Sequence, residues 1–212
     1  MNTNYYAELN TDKYIRETYF PDFSFKGIMV EVGAGPPEVL SMSKHFRDNG
    51  WRCICVEPNP NFIEQHKKFG NEIYPYACSE IEKNENFEIV TSGLKQFSYD
   101  GMSFSSLAIR EEYLTQYKTS RELLHIETIQ IEVKKLDTIL ENLNIDHIDF
   151  LSVDTEGWEI EVMKGFNANK FNPKIILLEN VLHKESYKQY MNNIGYKLDK
   201  TIDYNYIFKK RN

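Results

Sequence analysis

Cysteine is scarce in this 212-residue chain, and its three copies, Cys53, Cys55 and Cys78, are an odd number. Cys53 and Cys55 alternate along an expected strand and point to one face, where neighbours seldom meet disulfide geometry. A two-residue spacing without a companion His or Cys pair is also a poor zinc signature. All three read as buried thiols in a reducing compartment, so the expected location is cytoplasmic. Positive charge is in deficit: 25 Lys and Arg face 32 Asp and Glu, a formal net charge of −7. A general nucleic-acid or anionic-membrane surface would need the opposite balance. The one short basic run, Lys209-Lys210-Arg211, reads as a solvated tail. No apolar run approaches membrane-spanning length, and the N-terminus lacks the segments of a leader. Internal repeats and low-complexity tracts are missing as well.

What the chain does contain is a globular complement, 41% apolar and 14% aromatic, enough for one domain with a substantial core. Residues 1–27 scatter seven aromatics among polar residues, with Pro21 breaking the run. They predict a helical N-terminal extension ahead of a single domain over 28–212. From Ile28 onward apolar strands alternate with helical spacing, the pattern of a parallel sheet. Strands are expected at 28–32, 52–56, 73–77, 87–90, 129–133, 148–153 and 174–178, with an antiparallel pair at 196–198 and 204–208. Helices are expected at 39–49, with Pro36 and Pro37 in the first turn, and at 62–69, 136–143, 158–164 and 187–194. Residues 91–128 read as one long irregular stretch, the place for a lid or binding segment.

The most telling segment is Val30-Glu31-Val32-Gly33-Ala34-Gly35-Pro36-Pro37-Glu38, followed after the next apolar run by Glu57. A strand that stops at a glycine turn before a helix reads as a nucleotide-type cofactor cradle. Glu31 argues against a pyrophosphate, which backbone amides and a helix N-terminus serve best without an added negative charge. A phosphate-free cofactor with a positive centre, such as S-adenosylmethionine, fits better. An NAD-linked oxidoreductase is the first alternative; it predicts a small residue near Glu38 and an apolar one at position 31. A non-catalytic member of the fold is the second, and the acids Glu31, Glu57 and Asp154 weigh against it.

Glu31-Val32-Gly33-Ala34-Gly35, Val56-Glu57-Pro58-Asn59-Pro60 and Ala77-Cys78-Ser79 precede Lys135-Leu136-Asp137-Thr138-Ile139-Leu140. Then comes Ile148-Asp149-Phe150-Leu151-Ser152-Val153-Asp154-Thr155-Glu156-Gly157-Trp158-Glu159. This order resembles the FkbM-type family of S-adenosylmethionine-dependent methyltransferases. The likeness runs over residues 28–166, and its specific part is the Asp-x-Glu-Gly segment behind an apolar strand. The chain departs from the family at Pro36-Pro37-Glu38, where a further glycine is more usual. The resemblance implies an α/β, Rossmann-like class I methyltransferase fold: a mostly parallel seven-stranded sheet, helices on both faces and a C-terminal antiparallel hairpin. It implies methyl transfer to a hydroxyl, often of a sugar or sugar-decorated metabolite, so the expected partner is a small-molecule or glycan acceptor.

The cofactor candidates are then Glu31 near the methionine amino group, Gly33, Ala34 and Gly35 in the turn, Glu57 and Asn59 at the ribose, Ala77 and Cys78 beside the adenine, and Asp154 at the sheet's carboxyl edge. Glu57 suits both ribose hydroxyls, which need two acceptor oxygens, but an acid there also caps the 58–60 turn. Asn59 either supports the ribose or only shapes the turn, and Cys78 would otherwise be an ordinary buried residue. Asp154 and His183 are the catalytic candidates, though His183 equally suits a surface place at a helix start. Glu156 either touches substrate or stabilises the first helical turn. Asp154, Glu179 and Asn180 bring three oxygen donors to adjacent strand ends, a set that suits Mg²⁺ or Ca²⁺ and is similar to the magnesium ligands of catechol-type O-methyltransferases. Helix caps and substrate hydrogen bonds also produce such clusters. In the long stretch, Ser103, Ser105, Ser106 and Arg110 are contact candidates, while Tyr99, Phe104, Tyr113 and Tyr117 either stack on a sugar or anchor the loop. His45, His66, His125 and His147 read as structural or solvent-facing.

Overall fold

Short apolar runs closed by glycine, proline or acid turns cannot bury both faces alone, so they pair into a sheet and recruit the amphipathic stretches between them. The computed structural model describes residues 4–92 and 105–211. In chain order the strands are β1 (Ile28–Val32), β2 (Arg52–Val56), β3 (Ile73–Tyr74), β4 (Ala77–Cys78), β5 (Lys83–Ser92), β6 (His125–Lys134), β7 (Phe150–Val153), β8 (Ile175–Glu179), β9 (Tyr196–Ile202) and β10 (Asn205–Lys210). The helices are α1 (Thr11–Tyr19), α2 (Met42–Asp48), α3 (Pro60–Lys68), α4 (Glu111–Gln116), α5 (Leu136–Asn142), α6 (Glu159–Lys164), α7 (Ala168–Phe171) and α8 (Glu185–Asn193).

Seven strands form the main sheet in the order β3-β2-β1-β7-β8-β10-β9. Pairing is parallel from β3 through β8, and β10 runs antiparallel to both of its neighbours. Strand alternation divides the core between the two faces. Val30, Val32, Ile176 and Leu178 face α5, α6 and α8 through Leu136, Leu140, Val162, Met163 and Met191. Met29, Ile175 and Leu177 face α1 and α2 through Ile15, Met42 and Phe46. Each such fully buried branched side chain contributes roughly 1.5–3 kcal/mol of transfer free energy. Strand order reverses between β1 and β7, and that is where a parallel α/β sheet opens a crevice at its carboxyl edge.

Four expectations about elements need correction. The third strand is split: Ile73 and Tyr74 pair with β2, whereas Ala77 and Cys78 pair with β6 in a separate three-stranded sheet. Pro75 lies between them and has no amide hydrogen to continue the ladder. Pro36 and Pro37 precede the second helix rather than open it, because Leu40 adopts φ 54° at a parallel bridge to Ala7 and helical geometry begins only at Met42. The stretch 91–128 is shorter as a loop than expected: β5 and β6 are ten residues each and pair antiparallel through Ser92↔His125. Their polar–apolar alternation suits one solvated face, and it understated their length. Helix α4 lies between them, while Tyr99, Ser103 and Phe104 fall outside the described residues. Helix α7 was not anticipated. No described helix is long and apolar enough to cross a membrane.

Candidate active site

The chain leaves β1 through Gly33, whose φ of 79° and close approach to β7 both require glycine. A Cβ there would stand 1.7 Å from the Asp154 carbonyl oxygen. The Gly33 and Ala34 amides donate to Val56 O at 2.9 and 3.3 Å, and the Asp154 amide donates to Val32 O at 3.0 Å. The turn is thus stitched to β2 on one side and β7 on the other. Gly35, at φ 53°, has no heavy atom within 4 Å of its would-be Cβ, so its backbone is open on that side. Two buried side chains hold it. Glu57 Oε2 accepts the Gly35 amide at 3.0 Å, and His66 Nε2 donates to the Gly35 carbonyl at 3.0 Å. Burial lowers the His66 pKa to about 4, so the ring is neutral, and Asn71 Nδ2 donates to its Nδ1 at 3.2 Å.

Glu57 Oε1 also accepts the Asn59 amide at 2.8 Å, and burial pushes its carboxyl up to about 7 despite both amides. Asn59 caps α3 by accepting from the Asn61 amide at 3.0 Å, while its fully buried Nδ2 has no hydrogen-bond partner among the described residues. Glu31 lies beneath α2, 5% exposed, with Oε1 accepting the Met42 amide at 3.1 Å and Oε2 receiving the Cys55 thiol at 3.8 Å. It is a carboxylate supplied from β1 to the start of a helix whose own Ser41 offers no side-chain cap. Burial raises its pKa, against the Ser43 hydrogen bond and the Arg47 charge. Ala77 and Cys78 are buried in β4, and Cys78 belongs to the main core. All three cysteines are free and buried.

Beyond β7 four acids meet. Asp154 opens to the crevice, yet the protein around it, with Glu159, Glu8 and Glu31 nearby, raises its pKa to about 7 against a hydrogen bond from Glu179. Glu156 follows in a left-handed conformation, φ 54°, and Gly157 in another, φ 96°. This double turn keeps Glu156 out of α6. The helix start is served by Glu159, whose Oε1 accepts the Thr155 and Gly157 amides at 2.8 and 3.0 Å and whose Oε2 accepts the Tyr187 hydroxyl at 2.5 Å. One carboxylate oxygen from each of Asp154, Glu156 and Glu179 lies within 4.8 Å of the other two. Burial and their mutual repulsion hold Glu156 and Glu179 well above the usual carboxylate range. Tyr113 of α4 covers this turn: a Cβ on Gly157 would stand 2.9 Å from its ring. Arg110 sits over the Trp158 ring at 4.9 Å and faces Glu161 at 3.5 Å. A cleft of about 150 Å³ opens here between Arg110, Tyr113, Gly157 and Tyr187. A larger surface cavity, about 320 Å³, lies at Lys135, Asp137 and residues 165–169 and touches none of the candidate residues.

With that geometry in place, residues 31–198 match the model of the methyltransferase FkbM domain. The chain belongs to the FkbM methyltransferase family. Among solved structures it is similar to an FkbM methyltransferase from Methylobacillus flagellatus KT, at 14% identity and a TM-score of 0.53. That match covers 92% of this chain and 47% of the other, so this chain spans about half its length. A weaker likeness, TM-score 0.42 and 11% identity, is to a precorrin-6y C5,15-methyltransferase from Geobacter metallireducens GS-15, covering 98% and 93% of the two chains. No curated protein matches the chain.

In this FkbM chain two expected site residues stand apart from the acid cluster. Asn180 spends its side chain on the start of α8: Oδ1 accepts the Lys184 amide at 2.9 Å and Nδ2 donates to the Lys184 carbonyl at 3.0 Å. Glu156, not Asn180, completes the three-acid group. His183 is exposed on the turn before α8, with Nδ1 3.2 Å from the Tyr206 hydroxyl, which is its surface reading. Ser105 accepts the Val90 amide and Ser106 pairs with Glu88, so both serve the β5 edge. Tyr113 and Tyr117 pack with Val90, Leu114, Leu124 and Val181 and anchor the segment. Sequence reasoning missed Glu159 as the support of one turn, and of the two readings open to His66, structural or solvent-facing, the first is observed. A signal for His66 was available, since Phe62, Ile63 and His66 share the buried face of α3.

Proposed function

We propose that this chain is an S-adenosylmethionine-dependent O-methyltransferase acting on a hydroxyl of a sugar or glycosylated small molecule. The observation that carries the proposal is the convergence of Gly35, Glu57 and Asn59 with Asp154 at one sheet edge, within a chain of this family. The residues fit the cofactor. Among the described residues the buried Asn59 Nδ2 lacks a partner, which leaves a spare donor behind the turn. Each Glu57 oxygen keeps a second acceptor lone pair beyond its amide bond. Gly35 leaves open space beside the turn. Glu31, engaged with α2, reaches a methionine amino group only through its remaining lone pairs.

S-adenosylmethionine, when bound, supplies an electrophilic methyl on a sulfonium centre. The chain's own part is alignment, exclusion of water and relief of the hydroxyl proton. Asp154, the carboxylate that opens to the crevice, is the group that accepts that proton. His183, exposed and tied to Tyr206, is the second candidate to receive it. Magnesium at the acid cluster of Asp154, Glu156 and Glu179 is part of the same proposal. Three buried free thiols support a reducing, cytoplasmic location.

Calorimetry with S-adenosylhomocysteine and NAD tests the cofactor. Saturable binding of the first alone is expected, weakened roughly 10- to 100-fold in Glu57→Ala, the loss of a charge-assisted hydrogen bond. Labelled cofactor with a panel of hydroxyl acceptors tests the transfer. Binding of NAD without S-adenosylhomocysteine would overturn the proposal.

A further inference from the structure

In the group of Asp154, Glu156 and Glu179 a hydrogen bond joins Asp154 and Glu179, and carboxyl oxygens of Glu156 and Glu179 remain unused among the described residues. Among the described residues none of the three pairs with a lysine or arginine. Glu179 is 7% exposed, and its Oε2 is inaccessible to water and has no hydrogen-bond partner among the described residues. Glu156 Oε2 is likewise inaccessible and without a partner among the described residues. A buried, unpaired carboxylate oxygen is costly unless something outside the chain satisfies it. Two such oxygens in one three-acid group ask for a cation. The spacing admits one ion: donors around a single cation bound at about 2.0–2.6 Å stand roughly 3 to 5 Å apart, and these three lie within 4.8 Å of one another. No thiol or imidazole belongs to the group, so soft metals are not favoured. Asp154 is exposed at the crevice and Glu156 is half-buried, which leaves the outer coordination positions to water or a ligand hydroxyl.

We propose that Asp154, Glu156 and Glu179 form a binding site for one hard divalent cation of the Mg²⁺, Mn²⁺ or Ca²⁺ class. Glu156 replaces Asn180 in the donor set, and the left-handed turn at Glu156 and Gly157 is what delivers its carboxylate. The cation sits where it can orient an acceptor hydroxyl; that role rests on the methyl-transfer proposal, but the site itself does not.

Mn²⁺ is the probe. Titration of the full chain, followed by electron paramagnetic resonance, should show one saturable Mn²⁺ per chain, displaced by Mg²⁺ or Ca²⁺. Glu179→Gln and Glu156→Gln should each weaken it at least tenfold, with unchanged circular dichroism as the folding control. Binding of S-adenosylhomocysteine is measured on the same samples. Cofactor binding without saturable Mn²⁺ overturns the cation site alone, whereas Mn²⁺ without cofactor overturns the methyltransferase reading alone. Mn²⁺ binding unaltered in both variants places the ion elsewhere and also overturns the site.

Discussion

His66 Nε2 and the Gly35 carbonyl oxygen stand 3.0 Å apart, so the helix after β2 holds the glycine turn after β1. The ring is fully buried and neutral. Replacing it with alanine leaves that carbonyl without its donor, at about 1–3 kcal/mol. The His66→Ala protein should unfold at correspondingly lower urea. The sign of its pH dependence also follows. A histidine lowered from 6.5 to about 4 contributes stability that is full above pH 6.5 and lost as pH falls toward 4. The stability difference between wild type and His66→Ala should shrink over that window, and a difference that grows on acidification would refute the buried neutral ring.

Glu57 should behave in the opposite sense. Its carboxyl is raised from 4.5 to about 7 by burial, so its contribution is full below pH 4.5 and lost as pH rises through 7. The integrated change is on the order of 3 kcal/mol. Urea melts of wild type and Glu57→Gln at pH 4.5, 6 and 8 should show wild type losing ground with rising pH.

Two glycines in one turn should differ sharply. Gly33→Ala drives a Cβ into the Asp154 carbonyl and should cost on the order of 4 kcal/mol or more, or abolish folding. Gly35→Ala meets no atom and should cost only the left-handed backbone penalty, about 1–2 kcal/mol. Equal destabilisation of the two variants would contradict the stitching of β1 to β7.

Tyr187 and Glu159 form the buried strut between α8 and the turn before α6. Tyr187→Phe leaves a buried carboxylate oxygen without its donor, at about 1–3 kcal/mol. A double-mutant cycle with Glu159→Gln should return a coupling of roughly 0.5–3 kcal/mol. Additive effects would show that the contact carries no energy.

The order of strands and helices, the glycine turn and the Asp-x-Glu-Gly segment were legible in the chain alone. The first two rest on local physics, namely apolar runs of strand length, helical spacing and backbone turns that demand glycine, and the third on the resemblance to the family. Even the strand-edge positions of Glu31, Glu57, Asp154 and Glu179 followed from where those runs end. Their partners did not. Glu31 caps a helix eleven residues away, Asn180 is consumed by α8, and Glu156 enters the acid cluster through a left-handed turn that no propensity announces. Pro75 and Leu40 moved element boundaries because of pairing to β6 and to Ala7, contacts distant in sequence. Side-chain roles at the site depend on which atoms packing brings within 3 Å and which it strips of water, and only the folded chain decides both.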